Sequence, residues 1–255
     1  MGEGLTAGVV TSVNVGAARR VTAGGRTVDT GIWKAPVTGP VAARGVNLDG
    51  DEQADRQVHG GPDKAVYAYG IDDYAWWEHE LGRSLGPGTF GENLTIEGLG
   101  VSTAVVGERW KIGSAEFEVC QPRSPCGKLG IRMGDPQFPR RFTRAGRPGA
   151  YLRIAVEGTV TAGDVVSVLR RPAHGVTVAD VAEVVEGDLG RLPELLLVPE
   201  LAATRVAWAV EQAVAALQRD PSDDRLRPAL LQRLVRSGMD GQQAERLVDN
   251  TVAGR

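Results

Sequence analysis

Hydrophobic residues between positions 5 and 171 occur in short runs rich in valine and isoleucine, which are separated by glycine, proline and aspartate. Strands of about four to eight residues that end in turns have this pattern. Within it, residues 108–119 and residues 151–169 alternate around glycines in the manner of hairpins. The pattern predicts a mostly antiparallel sheet or barrel over this part of the chain.

One helix is predicted to interrupt these strands. Tyr74, Trp77 and Leu81 lie three and four residues apart, which places them on one face of a helix. Gly82 follows them as a stop signal, and Asp72 precedes them as a residue that could cap the first turn. We therefore expect a helix that begins after Asp72 and ends before Gly82.

The spacing of hydrophobic residues becomes helical after His174. Residues 177–180 resemble a capping box, in which two side chains satisfy backbone amides at the start of a helix. Two later stretches, 201–217 and 226–248, are rich in alanine, leucine, glutamine and arginine, and the polar residues 220–223 separate them. The pattern predicts roughly three or four helices here. The expected fold class is thus mainly β with α, ending in a small C-terminal helical region.

Composition and charge narrow the range of partners and compartments. The formal net charge is -3, so the chain has no basic excess with which to neutralise a nucleic-acid backbone. No stretch approaches the roughly 20 apolar residues of a membrane-spanning helix, and no early segment has the pattern of a signal peptide. We therefore expect a cytoplasmic protein with neither a nucleic-acid polymer nor a membrane as its partner.

The cysteine count limits the possible uses of sulfur. Cys120 and Cys126 are the two cysteines of the chain, and they form neither a C-x-x-C pair nor a zinc-binding pattern with histidine. Two cysteines cannot build a disulfide framework. Both are expected to be reduced thiols.

Residues 86–91, Gly-Pro-Gly-Thr-Phe-Gly, match the letters of the dinucleotide-binding fingerprint. That site requires a strand before the glycines and a helix after them, because the N-terminus of the helix faces the pyrophosphate. Here the predicted helix precedes the glycines, and residues 92–96 follow as a predicted strand. The segment is therefore predicted to be a structural turn that binds no NAD.

A glycine-rich turn precedes the strand predicted for residues 65–69. It contains ionisable residues at 51–55 and then the sequence His-Gly-Gly-Pro-Asp-Lys at 59–64. Such a turn is commonly a solvated loop, and a lone histidine is commonly a structural residue. Glycines also let backbone amides approach an anion, to which His59 and Lys64 could donate further hydrogen bonds. Both interpretations are open at this point.

A stiff loop carries the second cysteine. Residues 121–128, Gln-Pro-Arg-Ser-Pro-Cys-Gly-Lys, follow a predicted strand, and the two prolines prevent regular strand pairing there. A lone cysteine is commonly a small buried hydrophobic residue. Arg123 and Lys128 favour another role for Cys126, because nearby cations favour thiolate, the form that binds a soft metal. Cys120 lies inside the strand without such neighbours and is expected to serve packing.

Three motifs resemble, in their order and spacing, the signature of MOSC domains, the C-terminal domains of molybdenum cofactor sulfurases, and of their YiiM-like branch in particular. They are Gln-Ala-Asp at 53–55 with His-Gly-Gly-Pro-Asp-Lys-Ala-Val-Tyr-Ala-Tyr at 59–69, Phe-Gly-Glu-Asn-Leu-Thr at 90–95, and Pro-Arg-Ser-Pro-Cys at 122–126. The similarity extends from about residue 6 through residue 170, and residues 176–217 are similar to the helical C-terminal part of that branch.

The resemblance implies a division of the chain into three parts. Residues 1–171 are expected to form a MOSC β-barrel domain, and residues 172–220 a YiiM-like C-terminal helical region. Residues 221–255 are expected to form a helical extension, to which the resemblance assigns no role.

The resemblance also implies a cofactor and its site. MOSC domains of this kind bind the molybdenum cofactor, in which the metal is held by a pyranopterin dithiolene and by one protein cysteine, and Cys126 matches that cysteine. His59, Asn93 and Arg123 match positions of the cofactor pocket, and Lys34 is a further residue for the anionic pterin phosphate. Cys126 and His59 are the expected catalytic residues, His59 as a proton donor or an orienting group.

The activity implied by the resemblance is the reduction of N-hydroxylated compounds, such as hydroxylaminopurines and hydroxylamines, to amines. Molybdenum suits this chemistry because it can take an oxygen atom from the substrate and cycle between two oxidation states. A separate flavin-type reductase is the expected electron donor.

Two other functions are compatible with the same residues. A non-catalytic carrier or storage protein would bind the molybdenum cofactor through Cys126 and transfer it to another enzyme. A thiol-based redox sensor would use Cys120 and Cys126 without any molybdenum. Metal analysis and turnover of an N-hydroxylated substrate separate the three.

Overall fold

The computed structural model describes residues 5–54 and 60–253 of the 255-residue chain. Its strands are β1 (Leu5–Val15), β2 (Arg19–Ala23), β3 (Arg26–Thr30), β4 (Ala35–Pro36), β5 (Val41–Arg44), β6 (Asn47–Leu48), β7 (Val66–Gly70), β8 (Leu94–Glu97), β9 (Arg109–Ile112), β10 (Ala115–Pro122), β11 (Ala150–Val156), β12 (Gly158–Val160) and β13 (Val165–Arg170). Its helices are α1 (Ile71–Leu81), α2 (Gly127–Met133), α3 (Phe138–Arg144), α4 (Val178–Val185), α5 (Leu192–Leu196), α6 (Ala203–Arg219), α7 (Leu226–Arg236) and α8 (Gly241–Val252).

Seven strands close into a barrel in the order β1, β13, β9, β10, β11, β7 and β8, with β8 pairing back to β1. Neighbouring strands are antiparallel apart from β7 and β8, which are parallel. Parallel neighbours require a crossover connection, and the chain between these two strands contains α1. The predicted mostly antiparallel barrel is confirmed.

The hairpin predicted for residues 108–119 is present as β9 and β10, in which Ile112 pairs with Ala115. Its turn needs a glycine at Gly113, because φ there is +58° and an added Cβ would lie 2.3 Å from the carbonyl oxygen of Thr159. The second alternating stretch, 151–169, does not form the predicted hairpin throughout, because β12 within it pairs with β5 instead of with β11.

Two hydrophobic clusters form the interior of the barrel unit. The first fills the barrel, and its largest members are fully buried: Trp110, Phe117, Ile112, Leu94 and Ile96. Each such side chain contributes about 1.5–3 kcal/mol through removal of its surface from water. The second is aromatic, and it packs α1 against α2 and α3 through Trp77, Phe90, Leu129, Phe138 and Phe142. Because Leu129 lies in this cluster, the start of α2 is fixed relative to the barrel.

The first helix begins earlier than predicted. It begins at Ile71 directly after β7, Gly70 occupies the cap position, and no side chain caps it. Asp72 lies within the first turn, where a carboxylate still interacts favourably with the helix dipole. The expected cap at Asp72 is therefore wrong. The predicted end is confirmed, since Gly82 closes the helix in the left-handed conformation with φ of +61°.

The chain divides into two compact units, residues 1–182 and residues 183–255. The predicted capping box is present at the start of α4: the Asp180 amide donates to the Thr177 hydroxyl, and the Thr177 amide donates to the Asp180 carboxylate. In the described chain after His174 the structure has five α-helices instead of three or four. One reason is Gly238, whose φ of +98° separates α7 from α8 within the predicted stretch 226–248.

The helices of the second unit pack on one another. Arg233 and Arg236 of α7 donate to the carbonyl groups of Val198 and Leu197 that follow α5. Helices α7 and α8, which belong to the predicted extension, pack against α6. The boundaries near residues 171 and 220 remain predictions. Among the described residues, no helix combines the length and the hydrophobicity required to span a bilayer.

Candidate functional site

A cleft is lined by residues that follow β10 and precede β8, and by Tyr67 of β7 and Tyr151 of β11, which pair with each other. It encloses about 620 Å³ of empty space, part of which is open to solvent. Four of the predicted site residues line it: Lys34, Asn93, Arg123 and Cys126. The fifth, His59, lies outside the described residues.

The position of Cys126 is set by the loop before it and the helix after it. It occupies the cap position of α2 with extended backbone angles, and its side chain makes no capping hydrogen bond. The residue is half-buried and its thiol forms no disulfide. A rigid helix start therefore presents an accessible sulfur to the cleft.

Cys120 has a different environment. It is fully buried within β10, and its thiol donates to the carbonyl oxygens of Asp63 at 3.1 Å and Tyr151 at 3.3 Å. Burial raises the pKa of this thiol well above its ordinary value. A buried protonated thiol with two carbonyl partners fits the packing role predicted for Cys120.

Arg123 brings a buried positive charge to the cleft. Its guanidinium lies over the ring of Tyr67, 4.9 Å from the centroid, and donates to the carbonyl oxygen of Phe90. Burial acts to lower its pKa, but the nearby phenols and the Cys126 thiol act against burial and the net direction is upward. Within the described part of the chain, no carboxylate forms an ion pair with Arg123. A guanidinium has five N–H donors, and the Phe90 carbonyl oxygen is the one acceptor described for Arg123, so donors remain for an anionic ligand.

Asp51 connects Lys34 to the barrel. The Lys34 ammonium donates to the Asp51 carboxylate, which also accepts hydrogen bonds from the Gly16 amide and the Asn93 side chain, each at 3.0 Å. Both charged side chains are buried, at 9% and 2% exposed. Burial lowers the pKa of Lys34, while the charge and hydrogen bond of Asp51 act in the opposite direction. One acceptor leaves Lys34 with further donor hydrogens for a ligand.

Asn93 is held entirely by the protein. Its amide nitrogen donates to Asp51 and, at 3.2 Å, to the carbonyl oxygen of Asn14, while its oxygen accepts from the Tyr67 amide at 3.1 Å. Both donor hydrogens of the side chain are thereby used. This geometry supports a role for Asn93 in ordering the wall of the cleft, and its predicted contact with a cofactor remains a prediction.

Residues 86–91 pack closely against the segment that contains Lys34. Helix α1 precedes this segment and β8 follows it, which is the order that the predicted structural turn requires. A Cβ at Gly88 would lie 2.6 Å from the Lys34 carbonyl oxygen, and one at Gly91 would lie 2.8 Å from the Ile32 side chain. The glycines therefore allow the turn to press against residues 32–34, which carry Lys34 into the cleft.

The turn at residues 86–91 is expected to bind no nicotinamide dinucleotide, because no helix N-terminus follows its glycines. Calorimetric titration with NADH and with NADPH should show no saturable heat. Micromolar affinity for either nucleotide would contradict the structural interpretation of this motif.

The residues of the cleft fit the molybdenum cofactor. In the described ranges, no group of three or more histidine, cysteine or acidic residues could hold a metal unaided. A metal that brings its own sulfur ligands needs only one protein donor, and a thiolate is the type that molybdenum in such a cofactor accepts. The lining also has more cations than anions: Lys34, Lys64, Arg123 and Lys128 against Asp51 and Glu52. That excess suits a ligand with an anionic phosphate.

Two features of the site were not predicted from the sequence. Asp51 joins Lys34 and Asn93, which lie 17 and 42 residues away along the chain. Tyr67 and Tyr151 pair across β7 and β11, with ring centroids 5.1 Å apart, and form an aromatic wall of the cleft. Tyr67 lies within the motif at residues 59–69, and this motif could have identified it as a residue of the site. Asp51 and Tyr151 have no such signal.

Comparison with known families and curated proteins identifies similar sequences. Residues 55–167 match the MOSC domain family. Protein YflK of Bacillus subtilis (strain 168), itself described as uncharacterized, is 34% identical over 199 residues, which cover 78% of this chain and 90% of YflK. Protein YiiM of Escherichia coli (strain K12) is 33% identical over 157 residues, 60% of this chain and 69% of that protein. A protein of Gibberella moniliformis named Reductase is 32% identical over 182 residues, 70% of this chain but 32% of the fungal protein.

A solved structure supports the same relationship in three dimensions. The crystal structure of YiiM from Geobacillus stearothermophilus superimposes with a TM-score of 0.66 at 28% sequence identity. The match covers 80% of this chain and 98% of the YiiM chain. The similarity therefore extends beyond the three motifs to the fold of most of the chain.

Proposed function

Because this chain belongs to the MOSC domain family and to its YiiM-like branch, we propose that it is a molybdenum-cofactor-dependent oxidoreductase that reduces N-hydroxylated compounds to amines. The name of the fungal relative, Reductase, supports oxidoreductase chemistry. The N-hydroxylated substrate class rests on the resemblance of the motifs that carry Cys126, Arg123 and His59.

One observation carries the proposal: an accessible thiol and an arginine without a carboxylate partner in the described chain line the same cleft. Cys126 would hold the metal, and Arg123 together with Lys34 would bind the anionic phosphate of the pterin. Charge-assisted hydrogen bonds of this kind are about twice as strong as neutral ones. They would be stronger still in a partly buried cleft than in water.

The proposed reaction is R–NHOH + 2 e⁻ + 2 H⁺ → R–NH₂ + H₂O. When bound, the cofactor supplies a metal that can accept the substrate oxygen and change between two oxidation states. The protein contributes orientation and protons. His59 is proposed to donate a proton or to orient the substrate.

Arg123→Met is expected to lower cofactor binding as well as stability. The variant removes a cation whose pKa the folded protein raises, together with its hydrogen bond to the Phe90 carbonyl oxygen, so the metal-free protein should lose about 1–3 kcal/mol of unfolding free energy, as the control below does. Its molybdenum content should fall about tenfold, because a charge-assisted contact to the phosphate is lost. Denaturant unfolding and metal analysis measure the two effects.

Arg147→Met is the matched control for this prediction. Arg147 forms an ion pair with Asp73 at 2.7 Å, and Asp73 is buried. Its loss should lower stability by about 1–3 kcal/mol and leave the molybdenum content unchanged. A normal molybdenum content in Arg123→Met would contradict the role of Arg123 in binding.

A non-catalytic carrier would bind the cofactor through the same thiol and the same cations. Turnover of a substrate is therefore the measurement that distinguishes the proposed enzyme from a carrier. We expect dithionite-reduced, molybdenum-loaded protein to convert 6-hydroxylaminopurine to adenine in a single turnover, with about one adenine formed per bound molybdenum. Chromatographic quantification of adenine measures this yield. Full molybdenum content without formation of the amine product, across several N-hydroxylated substrates, would contradict the proposed enzyme and favour the carrier.

A further inference from the structure

Positive charge is concentrated in one segment of the chain. Residues 123–147 contain seven arginine and lysine residues and one acidic residue, Asp135, whereas the whole chain has a net charge of -3. Arg123 faces the cleft, Arg141 pairs with Asp135 at 3.4 Å, and Arg147 pairs with Asp73. The remaining cations are available to interact with another molecule.

Three of these charges have no acidic partner in an ion pair among the residues that the structure describes. Arg132 on α2 and the exposed Arg140 and Arg144 on α3 form no ion pair with any residue in the described ranges 5–54 and 60–253. Arg140 and Arg144 lie one helical turn apart, so both project from the same face of α3. Uncompensated charges on two adjacent helices create a positive field at this part of the surface.

The positive charge reaches the mouth of the cleft. Lys128 lines the cleft, and Arg132 lies one turn further along the same face of α2. The guanidinium groups of Arg132 and Arg19 lie 5.7 Å and 4.2 Å from the ring centroid of Trp33. Trp33 precedes Lys34, which also lines the cleft. We refer to Arg19, Lys128 and Arg132 as the cationic rim.

Like charges are held together at the cationic rim. Burial lowers the pKa of Arg132, the positive charge of Arg19 acts in the same direction, and the charge of Glu92 acts against both. Two carboxylates nearby have hydrogen-bond partners outside the rim: Asp29 pairs with Arg20 at 3.0 Å and also interacts with the charge of Lys128, and Glu52 accepts from the Ala18 amide at 2.8 Å. Repulsion between like charges is relieved when an anionic surface binds, so the rim is suited to an acidic partner.

We infer that the cationic rim is the docking surface for an acidic electron-carrier protein, and this inference rests on the proposed function. Each turnover consumes two electrons and two protons, R–NHOH + 2 e⁻ + 2 H⁺ → R–NH₂ + H₂O. An acidic flavodoxin-type carrier is complementary in charge to the rim. Two carrier molecules, each oxidised from flavin hydroquinone to semiquinone, supply both electrons. Transient redox encounters of this type depend on complementary charge more than on area.

The surroundings of the rim favour a protein over a single-stranded nucleic acid. Binding of single strands combines positive charge with exposed aromatic rings on which bases stack. Phe138 and Phe142 of the adjacent helix α3 are each 1% exposed, and the Trp33 ring at the rim already has the guanidinium groups of Arg19 and Arg132 over it. The rim also adjoins Cys126, which is the residue that electrons must approach in the proposed reaction.

The double variant Arg19→Glu/Arg132→Glu tests the inference. With an acidic flavodoxin and its NADPH-dependent reductase at low ionic strength, kcat/KM for the carrier should fall at least about tenfold. With chemically reduced methyl viologen, a small dye that needs no docking surface, the rate should change less than about twofold. Added salt should slow the wild type with flavodoxin and should have little effect on the variant.

Lys111→Glu provides the matched control. Lys111 is an exposed cation on β9, beside the start of β10, whereas the cleft lies at the end of β10. The control is compared with the single variant Arg132→Glu, which undergoes the same change of charge, whereas Lys111 lies at the opposite end of the strand. Its kcat/KM with flavodoxin should stay near that of the wild type. An equal loss in this control would show that only net charge matters and would overturn the docking surface.

Two measurements keep the inference separate from the proposed function. If the wild type fails to turn over even with the dye, the proposed function is wrong, and docking is then decided by titration with oxidised flavodoxin. A weaker affinity of the double variant supports the surface, and an equal affinity overturns it. Saturable binding of an approximately 20-nucleotide single strand that the double variant loses, with unchanged flavodoxin kinetics, would also overturn it.

Discussion

Purified, molybdenum-loaded protein supplied with NADPH alone is expected to give no turnover of 6-hydroxylaminopurine, whereas chemically reduced viologen should give steady turnover. Electrons must reach the cleft from a donor, and the chain has only two cysteines, while a typical iron–sulfur cluster uses about four. Its one fingerprint-like segment, residues 86–91, is a turn between a helix and a strand. NADPH therefore has no expected route for hydride transfer within this chain.

A flavin reductase added to NADPH should restore turnover to the wild type. The variant Cys126→Ser serves as the control with each donor, because it reports any direct reaction between donor and substrate. Steady oxidation of NADPH by the wild type alone, coupled to formation of adenine, would contradict the need for a separate donor. Failure with the dye across several N-hydroxylated compounds would favour the carrier function.

Local signals in the sequence predicted much of the barrel. The β9–β10 hairpin and its glycine turn follow from alternation and turn chemistry between neighbouring residues. The capping box of Thr177 and Asp180 is equally local. The three motifs then supplied the family, and with it four residues that the structure brings to one cleft: Lys34, Asn93, Arg123 and Cys126.

Two short helices next to the site could not be predicted from such signals. Helices α2 and α3 each have seven residues, and neither has a side-chain cap at its start. Helices of this length are unstable alone. They are stabilised by burial of Leu129, Phe138 and Phe142 among aromatic residues of α1 and the segment before β8. Those contacts join residues distant in sequence, and a local pattern does not reveal them.

The role of Asp51 could not be predicted from the sequence for the same reason. In the sequence it is one of several acidic residues in a glycine-rich turn, and a solvated loop is an equally good interpretation. In the structure it accepts hydrogen bonds from Lys34, Asn93 and the Gly16 amide. Only the closure of the barrel brings these three groups together.

Cys126 and Cys120 are separated by six positions, and the structure gives them opposite environments. The Cys126 thiol faces the cleft from the start of α2. The Cys120 thiol is buried in β10 and donates to two carbonyl oxygens. Serine is nearly isosteric with cysteine but lacks the soft sulfur that a molybdenum cofactor would bind. Cys126→Ser is therefore expected to lose the cofactor, and Cys120→Ser should lose at most about 1–2 kcal/mol of stability.

The most direct test of the central claim is the molybdenum content per chain of three proteins purified from the same molybdenum-replete host. We expect about one molybdenum per chain in the wild type and in Cys120→Ser. In Cys126→Ser the content should fall below about one tenth of that value. Unchanged molybdenum in Cys126→Ser, or its loss in Cys120→Ser instead, would contradict the assignment of Cys126 as the metal ligand.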